Sequence, residues 1–372
     1  MNDLKIPSKR YAIVHDSFFV RGGAERMNIQ IAMYLGADLV SSVFSEASFD
    51  PRVMGFEGQM TALYPRFQRG IVGFIGMKLS FLLRASVLRG YDTVIFSNEA
   101  ISARLWAPRA RRVYYAHSIS RHLFDQRDQY LAKISWYARP FAGVMLTALR
   151  AWYLWDLRSM HLILANSEQN AVTLRTLAPG ITVEVLYPPV DAREFYPLEP
   201  SESRGNYYLS TARLAHAKRV DTVIRAFKPL PDHKLLLLHG ANDPQKDEFR
   251  ALADGAPNIE FKVLEDNSQV ALYTRRAIAG IYISRNEDFG LNTIEALISG
   301  VPMITVAEGG FLESMQSPET GIMLPPECTP EELARAVREM TPEYVSTLRD
   351  GCIRQGQKFS LTECTKRLSE FI

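Results

Sequence analysis

The chain has 372 residues, of which 47% are apolar and 23% charged, with a formal net charge of +2. That length accommodates two domains, each with its own core, and the near-neutral balance argues against a dedicated nucleic-acid binder. Cys328, Cys352 and Cys364 form no C-x-x-C pair and have no metal-ligand spacing, which points to reduced thiols and a cytoplasmic setting.

The first ten residues include Asp3, Lys5, Lys9 and Arg10 and lead straight into a strand, leaving no room for a signal-peptide core. Tyr11 to Val14 reads as that strand. The run from His15-Asp16 to Gly22-Gly23-Ala24-Glu25-Arg26 is a loop that opens a helix at about Ala24, with Met27, Ile31 and Leu35 on one face. Glycines at a strand-to-helix turn suit an anion or a sugar, and they also suit a tight turn; the pattern is neither G-x-G-x-x-G nor a P-loop.

From Gly58 to Tyr91 there is no acidic residue, while Arg66, Arg69, Lys78, Arg84 and Arg89 are interleaved with Phe67, Ile71, Phe74, Ile75, Leu79, Phe81 and Leu82. A second region of this kind, Gln129 to Trp155, sets Lys133, Arg139 and Arg150 among Trp136, Tyr137, Phe141, Trp152, Tyr153 and Trp155. The uncharged runs are too short for the roughly 20 residues of a membrane span. Basic, aromatic, amphipathic segments fit the surface of an anionic membrane. Two helices packed on a sheet, with snorkelling cations, would read the same way. The first reading places residues 58–91 and 129–155 in peripheral contact with a membrane, at the cytoplasmic face of the inner membrane.

Between these regions Tyr91 to Ser97 and Arg112 to Tyr115 read as strands. The second ends at His117-Ser118-Ile119-Ser120-Arg121-His122-Leu123-Phe124-Asp125. A histidine just past the carboxyl end of a strand in an open α/β sheet stands where ligands bind. His161 to Ala165 is a further strand. The double proline Pro188-Pro189 and the polar stretch Glu199 to Asn206 mark a linker.

The second half alternates: strand Tyr207 to Ser210, helix Arg219 to Phe227, strand Lys234 to His239, helix Gln245 to Leu252, strand Ile259 to Val263 and helix Gln269 to Arg276. Next come a buried strand from Ile278 to Ser284, a loop with Glu287 and Asp288, and a helix holding Leu291, Ile294, Leu297 and Ile298 at helical spacing. Gly300 and Pro302 stop that helix before the strand Met303 to Val306. This is the βαβ unit of a parallel sheet. Gly290 at the helix start lets a ligand approach the backbone, and the helix dipole attracts phosphate. Glu287 and Glu295 can both face that ligand, although spacing alone equally allows a cap and a solvated face. Arg213 and Lys218 flank the turn into the half's first helix, and either could instead serve an ion pair elsewhere. Glu331 to Met340, Pro342 to Ile353 and Leu361 to Phe371 read as the last helices.

The Glu287 to Glu295 segment, with Phe289-Gly290 after the first Glu, resembles retaining glycosyltransferases of family four, which have the GT-B fold. His15-Asp16 with Gly22-Gly23-Ala24-Glu25-Arg26 resembles that family's amino-terminal signature, and Arg213-Leu214-x-x-x-Lys218 its pair of cations on the donor diphosphate. The run from His117 resembles the His-(Ser/Thr)-Pro-x-Arg-x-x-Trp-Asp segment of bacterial mannosyltransferase-like members, with Ile119 in place of Pro and Phe124 in place of Trp. Those two departures put transfer of sugar specificity in doubt.

The resemblance implies an α/β chain of two Rossmann-like domains facing each other across a cleft. Residues 1–197 would bind acceptor, 198–358 nucleotide sugar, and 359–372 would return to the first domain. It implies Glu287 on the donor sugar, amides of Phe289, Gly290 and Leu291 on the diphosphate, Glu295 on the ribose, and Asp288 among the donor-binding residues. Gly22 and Gly23 would line the donor site, His117 the reacting centre, and Asp16 and Arg121 the acceptor side. The expected activity is retaining hexosyl transfer, with mannose from GDP-mannose favoured and a lipid-linked saccharide as acceptor in cell-surface polysaccharide or glycolipid assembly. With no Asp-x-Asp in the chain, no metal or other cofactor is expected. A nucleotide-sugar epimerase and a non-catalytic binding protein remain the alternatives.

Overall fold

The computed structural model describes residues 9–64, 70–120, 123–124, 126–132, 134–199, 201–241, 243, 245–264 and 267–372. Arg66, Phe67, Arg69, Arg121 and Lys133, and the side chains of Ile71, Phe74 and Ile75, lie outside the described residues. The chain divides into two compact units: Met1–Tyr187 with Arg367–Ile372, and Pro188–Lys366.

Among the described residues of the first unit, seven parallel strands form one sheet. They are β1 (Tyr11–His15), β2 (Asp38–Ser41), β3 (Met60–Ala62), β4 (Thr93–Ser97), β5 (Arg111–Ala116), β6 (Leu162–Ala165) and β7 (Val183–Val185), in the order β3-β2-β1-β4-β5-β6-β7. β4 is buried along its whole length, as expected of a parallel strand covered on both faces. Phe96, Tyr114 and Ile163 from the sheet pack with Met77 and Phe81 of the helix Gly70–Arg84 and with Leu146 and Tyr153 of the helix Arg139–Leu157. The first helix spans Gly23–Leu35 and stops at Gly36, whose φ of 59° is the left-handed cap that glycine supplies without strain.

The second unit repeats the plan with six strands among its described residues: β8 (Tyr208–Ser210), β9 (Leu235–His239), β10 (Ile259–Val263), β11 (Gly280–Ile281), β12 (Met303–Val306) and β13 (Gly321–Leu324). Their order is β10-β9-β8-β11-β12-β13, all parallel. Four consecutive leucines in β9 are all buried, which only a strand covered on both faces can use. The helix Pro330–Glu339 begins with a full capping box, Thr329 and Glu332 each satisfying the other's backbone N–H, with Pro330 at the first turn.

Differences from the sequence expectation lie at an element end and in three short strands. The strand expected over Ile278 to Ser284 pairs as a strand only at Gly280–Ile281. Beyond it Tyr282 still donates to the Ile304 carbonyl before the chain turns away into the Glu287 loop. β2, β3 and β13 were not anticipated. The first two are short and carry Asp38 and Thr61, and β13 opens on a glycine.

Gly321 is the tightest point of the second sheet: at φ 136°, a Cβ there would stand 2.0 Å from the Met303 carbonyl oxygen of the paired strand. Gly321→Ala is therefore expected to lower the melting temperature, by about 1–3 kcal/mol of stability from backbone strain plus strand displacement. Thermal unfolding followed by circular dichroism checks this, and an unchanged transition would contradict it.

Candidate active site

In both units the order of strands reverses beside the first strand: β1 pairs with β2 and β4, and β8 with β9 and β11. At such a switch point the connections diverge to opposite faces of the sheet and leave a crevice outside the carboxyl strand ends. The candidate residues collect at these ends.

In the second unit, β11 runs into Tyr282, Ser284 and then Glu287. Three donors converge on a single oxygen, Glu287 Oε2: Ser284 Oγ at 2.6 Å, Lys218 Nζ at 2.7 Å and Tyr282 Oη at 2.9 Å. Lys218 also donates to Tyr282 Oη at 2.9 Å, and its ammonium lies 5.3 Å from the centre of the Tyr282 ring. Burial by itself would raise the Glu287 carboxyl; the Lys218 charge and the three hydrogen bonds outweigh it and hold the group below its usual value. Burial and the facing carboxylate push the Tyr282 phenol far up, so it stays a donor. Arg213 is exposed, and its charge reaches Tyr282.

The loop that carries Glu287 is fixed from behind. Asn286, at φ 48°, donates its N–H to Glu308 Oε1 at 2.8 Å, and Gly310 N–H donates to the Glu287 carbonyl at 2.8 Å. A Cβ on Gly309 would stand 2.5 Å from that carbonyl oxygen, and one on Gly310 would stand 2.2 Å from Phe289 Cα. Gly290 has φ 85° and begins the helix Leu291–Ile298. The N–H groups of Leu291 and Asn292 have no acceptor within that helix, which is the arrangement that receives anions. Asn292 Nδ2 reaches Thr211 Oγ1 at 2.5 Å and ties the helix start to the end of β8. Asp288 and Leu291 are half-buried, Phe289 is buried with its ring 5.3 Å from that of Phe359, and Glu295 is buried in the helix.

In the first unit the site is built around two neutral imidazoles. His15, at the end of β1, lies 3.0 Å from Ser97 Oγ at the end of β4 through Nδ1, and 3.2 Å from Asp16 Oδ1 through Nε2. His117, just past β5, has Nε2 3.1 Å from Asn28 Nδ2. Burial lowers His15 to about 3 and, with the neighbouring His15, holds His117 well below the usual imidazole range. Burial raises Asp16 to about 7, against the hydrogen bond it accepts from the Ser17 N–H. Glu99 pairs with Lys78 and accepts from Ser120 Oγ at 2.8 Å. Gly22 starts the helix that carries Asn28, and the space its Cβ would need is taken by Glu25 Oε2 at 2.5 Å. Gly23 is that helix's first residue.

Of the residues expected from sequence, Lys218 and Glu287 meet directly beside Gly290, and His117 and Asp16 both adjoin His15. Sequence reading did not single out Tyr282, Ser284, Asn28, Ser97, Glu308, Gly309 or Gly310. Tyr282 and Ser284 were legible in principle, since alternation along an extended segment puts both on one side. Among the described residues, no group of three or more His, Cys, Asp or Glu side chains is placed to hold a metal ion.

Residues 194–359 match the family described as glycosyl transferases group 1. The chain is 26% identical to D-inositol 3-phosphate glycosyltransferase of Mycobacteroides abscessus over 48% of its own length, and spans 44% of that relative. It is 24% identical to alpha-1,3/1,6-mannosyltransferase ALG2 of Rhizomucor pusillus over 97% of this chain and 90% of the relative. The solved structure of Anabaena HepE in complex with UDP and glucose superimposes with a TM-score of 0.74 at 17% identity, covering 97% of this chain and 98% of that one. At that identity the likeness is one of fold.

A carboxyl held ionised in the folded protein and released on unfolding adds stability above its usual value of 4.5 and loses it as pH falls through the lower folded value. The melting temperature of the wild type should thus fall more steeply below about pH 4.5 than that of Glu287→Gln, and parallel curves would contradict the ion pair.

Residues 194–359, within the second unit, are thus similar to group 1 glycosyltransferases, and the chain with its two Rossmann-like halves has the GT-B fold.

Proposed function

We propose that the protein transfers a hexosyl group, with retention of anomeric configuration and without a metal, from a nucleoside diphosphate sugar to a saccharide acceptor. The observation that carries the reading is the Lys218–Tyr282–Glu287 cluster next to the Gly290 helix start, at the switch point of the unit that matches group 1 glycosyltransferases. When the glycosidic bond breaks, its electron pair goes to a phosphate oxygen of the leaving diphosphate. The acceptor hydroxyl oxygen bonds to the anomeric carbon from the same side, and its proton passes to the diphosphate oxygen. Lys218, Arg213 and the N–H groups at the start of Leu291–Ile298 supply positive charge there, already oriented, which is where preorganised electrostatics lowers a barrier most. Glu287 positions the donor sugar and Glu295 the ribose. His117 and Asp16 serve the reacting centre and the acceptor.

Mannose from GDP-mannose is the favoured donor, and the name of the Rhizomucor relative supports the mannosyl group. The UDP and glucose of the HepE complex favour a UDP-hexose as the second reading. The acceptor in this reading is a lipid-linked saccharide, reached at a membrane surface. Support for that surface comes from the helix Arg139–Leu157 and the turn before it, where Trp136 is 80% and Phe141 81% exposed, close to Tyr137, Val144, Met145 and Arg139. Among the described residues no helix is long and apolar enough to cross a membrane.

The deciding experiment incubates the protein with labelled GDP-mannose and UDP-hexoses, with and without lipid-linked saccharides. Transfer only when acceptor is present supports the reading. Altered free sugar nucleotide without acceptor indicates an epimerase, and binding without turnover a non-catalytic protein. Glu287→Ala, Lys218→Ala and His117→Ala should each cut turnover at least about a hundredfold in folded protein, and a chelator should leave the wild-type rate unchanged. A second assay addresses the surface: Trp136→Ser and Phe141→Asp should release the protein from sedimenting anionic phospholipid vesicles, whereas undiminished binding would remove the membrane from the proposal.

A further inference from the structure

We propose that Asn28 is a positioning residue that fixes His117 as the Nδ1–H tautomer, so that Nε2 accepts from the protein and Nδ1–H is the donor left for a ligand. Asn28 is 2% exposed on the helix Gly23–Leu35, and its amide stands among four groups. Nδ2 is 2.9 Å from the Ala24 carbonyl oxygen, 3.1 Å from His117 Nε2, and 3.2 Å from both His15 Nδ1 and Ser97 Oγ. The first contact decides the orientation. A carbonyl only accepts, so the amide nitrogen must face it; turning the amide over would set two oxygens against each other at hydrogen-bond distance in a buried site.

With the nitrogen so fixed, its other proton points into the His15, Ser97 and His117 group. An amide NH2 has no lone pair to offer, so a proton on His117 Nε2 would face a donor and have nowhere to go. The ring proton is therefore on Nδ1, which has no protein partner among the described residues. The main chain of His117 is held as well, its carbonyl accepting from Asn166 Nδ2 at 2.7 Å. Burial, and to a lesser degree His15 beside it, keeps a second proton off the ring. The other groups facing this corner are Asp16, against His15, and Tyr115, whose ring centre is 4.6 Å from that of His117.

This deepens the glycosyl-transfer reading and rests on it only for its kinetic consequence: His117 works there as a neutral hydrogen-bond donor through Nδ1, and no proton passes through Nε2. The tautomer itself is read without substrate. Long-range proton–nitrogen correlation spectra of the full chain, labelled at histidine nitrogen and assigned by the signal lost in His117→Gln, should show Nδ1 protonated and Nε2 bare at neutral pH. Asn28→Asp, which turns the donor into an acceptor, should move the proton to Nε2, and Asn28→Ala should average the two nitrogens. An Nε2–H or imidazolium pattern in the wild type would overturn the proposal. So would a His117 pattern unchanged in both Asn28 variants while circular dichroism shows them folded. In the transfer assay, Asn28→Asp should lose at least about tenfold in kcat with the donor KM little changed. If no transfer is found in any variant or in the wild type, the spectra still decide the tautomer and only the glycosyl-transfer reading falls.

Discussion

A carboxylate out of bulk water stays ionised only if its surroundings supply what water did. Glu287 meets that condition by concentration, with a cation, a phenol and a serine hydroxyl all delivered to one oxygen. Each donor comes from a place the sheet dictates. Tyr282 and Ser284 follow β11, and Lys218 lies on the loop after β8, the strand paired with it. The parallel ladder between those two strands is what makes the cluster possible, and the rest of the second unit holds that ladder still.

The two switch points are the same in topology and opposite in electrostatics. The second unit places an ion pair and an exposed arginine at its strand ends, suited to an anionic ligand. At the tip of the first unit's sheet stand two buried imidazoles kept neutral, a serine, an asparagine and a carboxyl raised to about 7. Such a surface offers hydrogen bonds of fixed direction with little charge, which suits hydroxyl-bearing molecules. The division of labour follows from which side chains a common backbone plan delivers.

The alternation of strands and helices in the second half was readable because most strands are short apolar runs, β10 alternating with Glu260 and Lys262 instead, and the helices have their own period. The four leucines of β9 and the Gly300-Val301-Pro302 stop are plain examples. Lys218, Glu287 and Gly290 could be picked out because they lie within a compact segment or beside a recognisable turn. The floor of the Glu287 loop could not: Glu308, Gly309 and Gly310 come after β12, and nothing local in Glu-Gly-Gly says that another loop will rest on it. Asn28 was hidden for a different reason. On a helix whose residues from Glu25 to Ala32 are all buried, a polar residue at that position carries no periodic signal, and only the fold brings it to two histidines.

The paired glycines under that loop limit how the site can be altered. Because main chain rests on main chain at these two glycines, with no side chain between to be enlarged or trimmed, repacking at that point cannot nudge Glu287 sideways. Efforts to fit the site to a different ligand would have to act through the groups that converge on the carboxylate from the front, or through exposed positions such as Arg213, while the depth at which the acid sits stays as the backbone has set it.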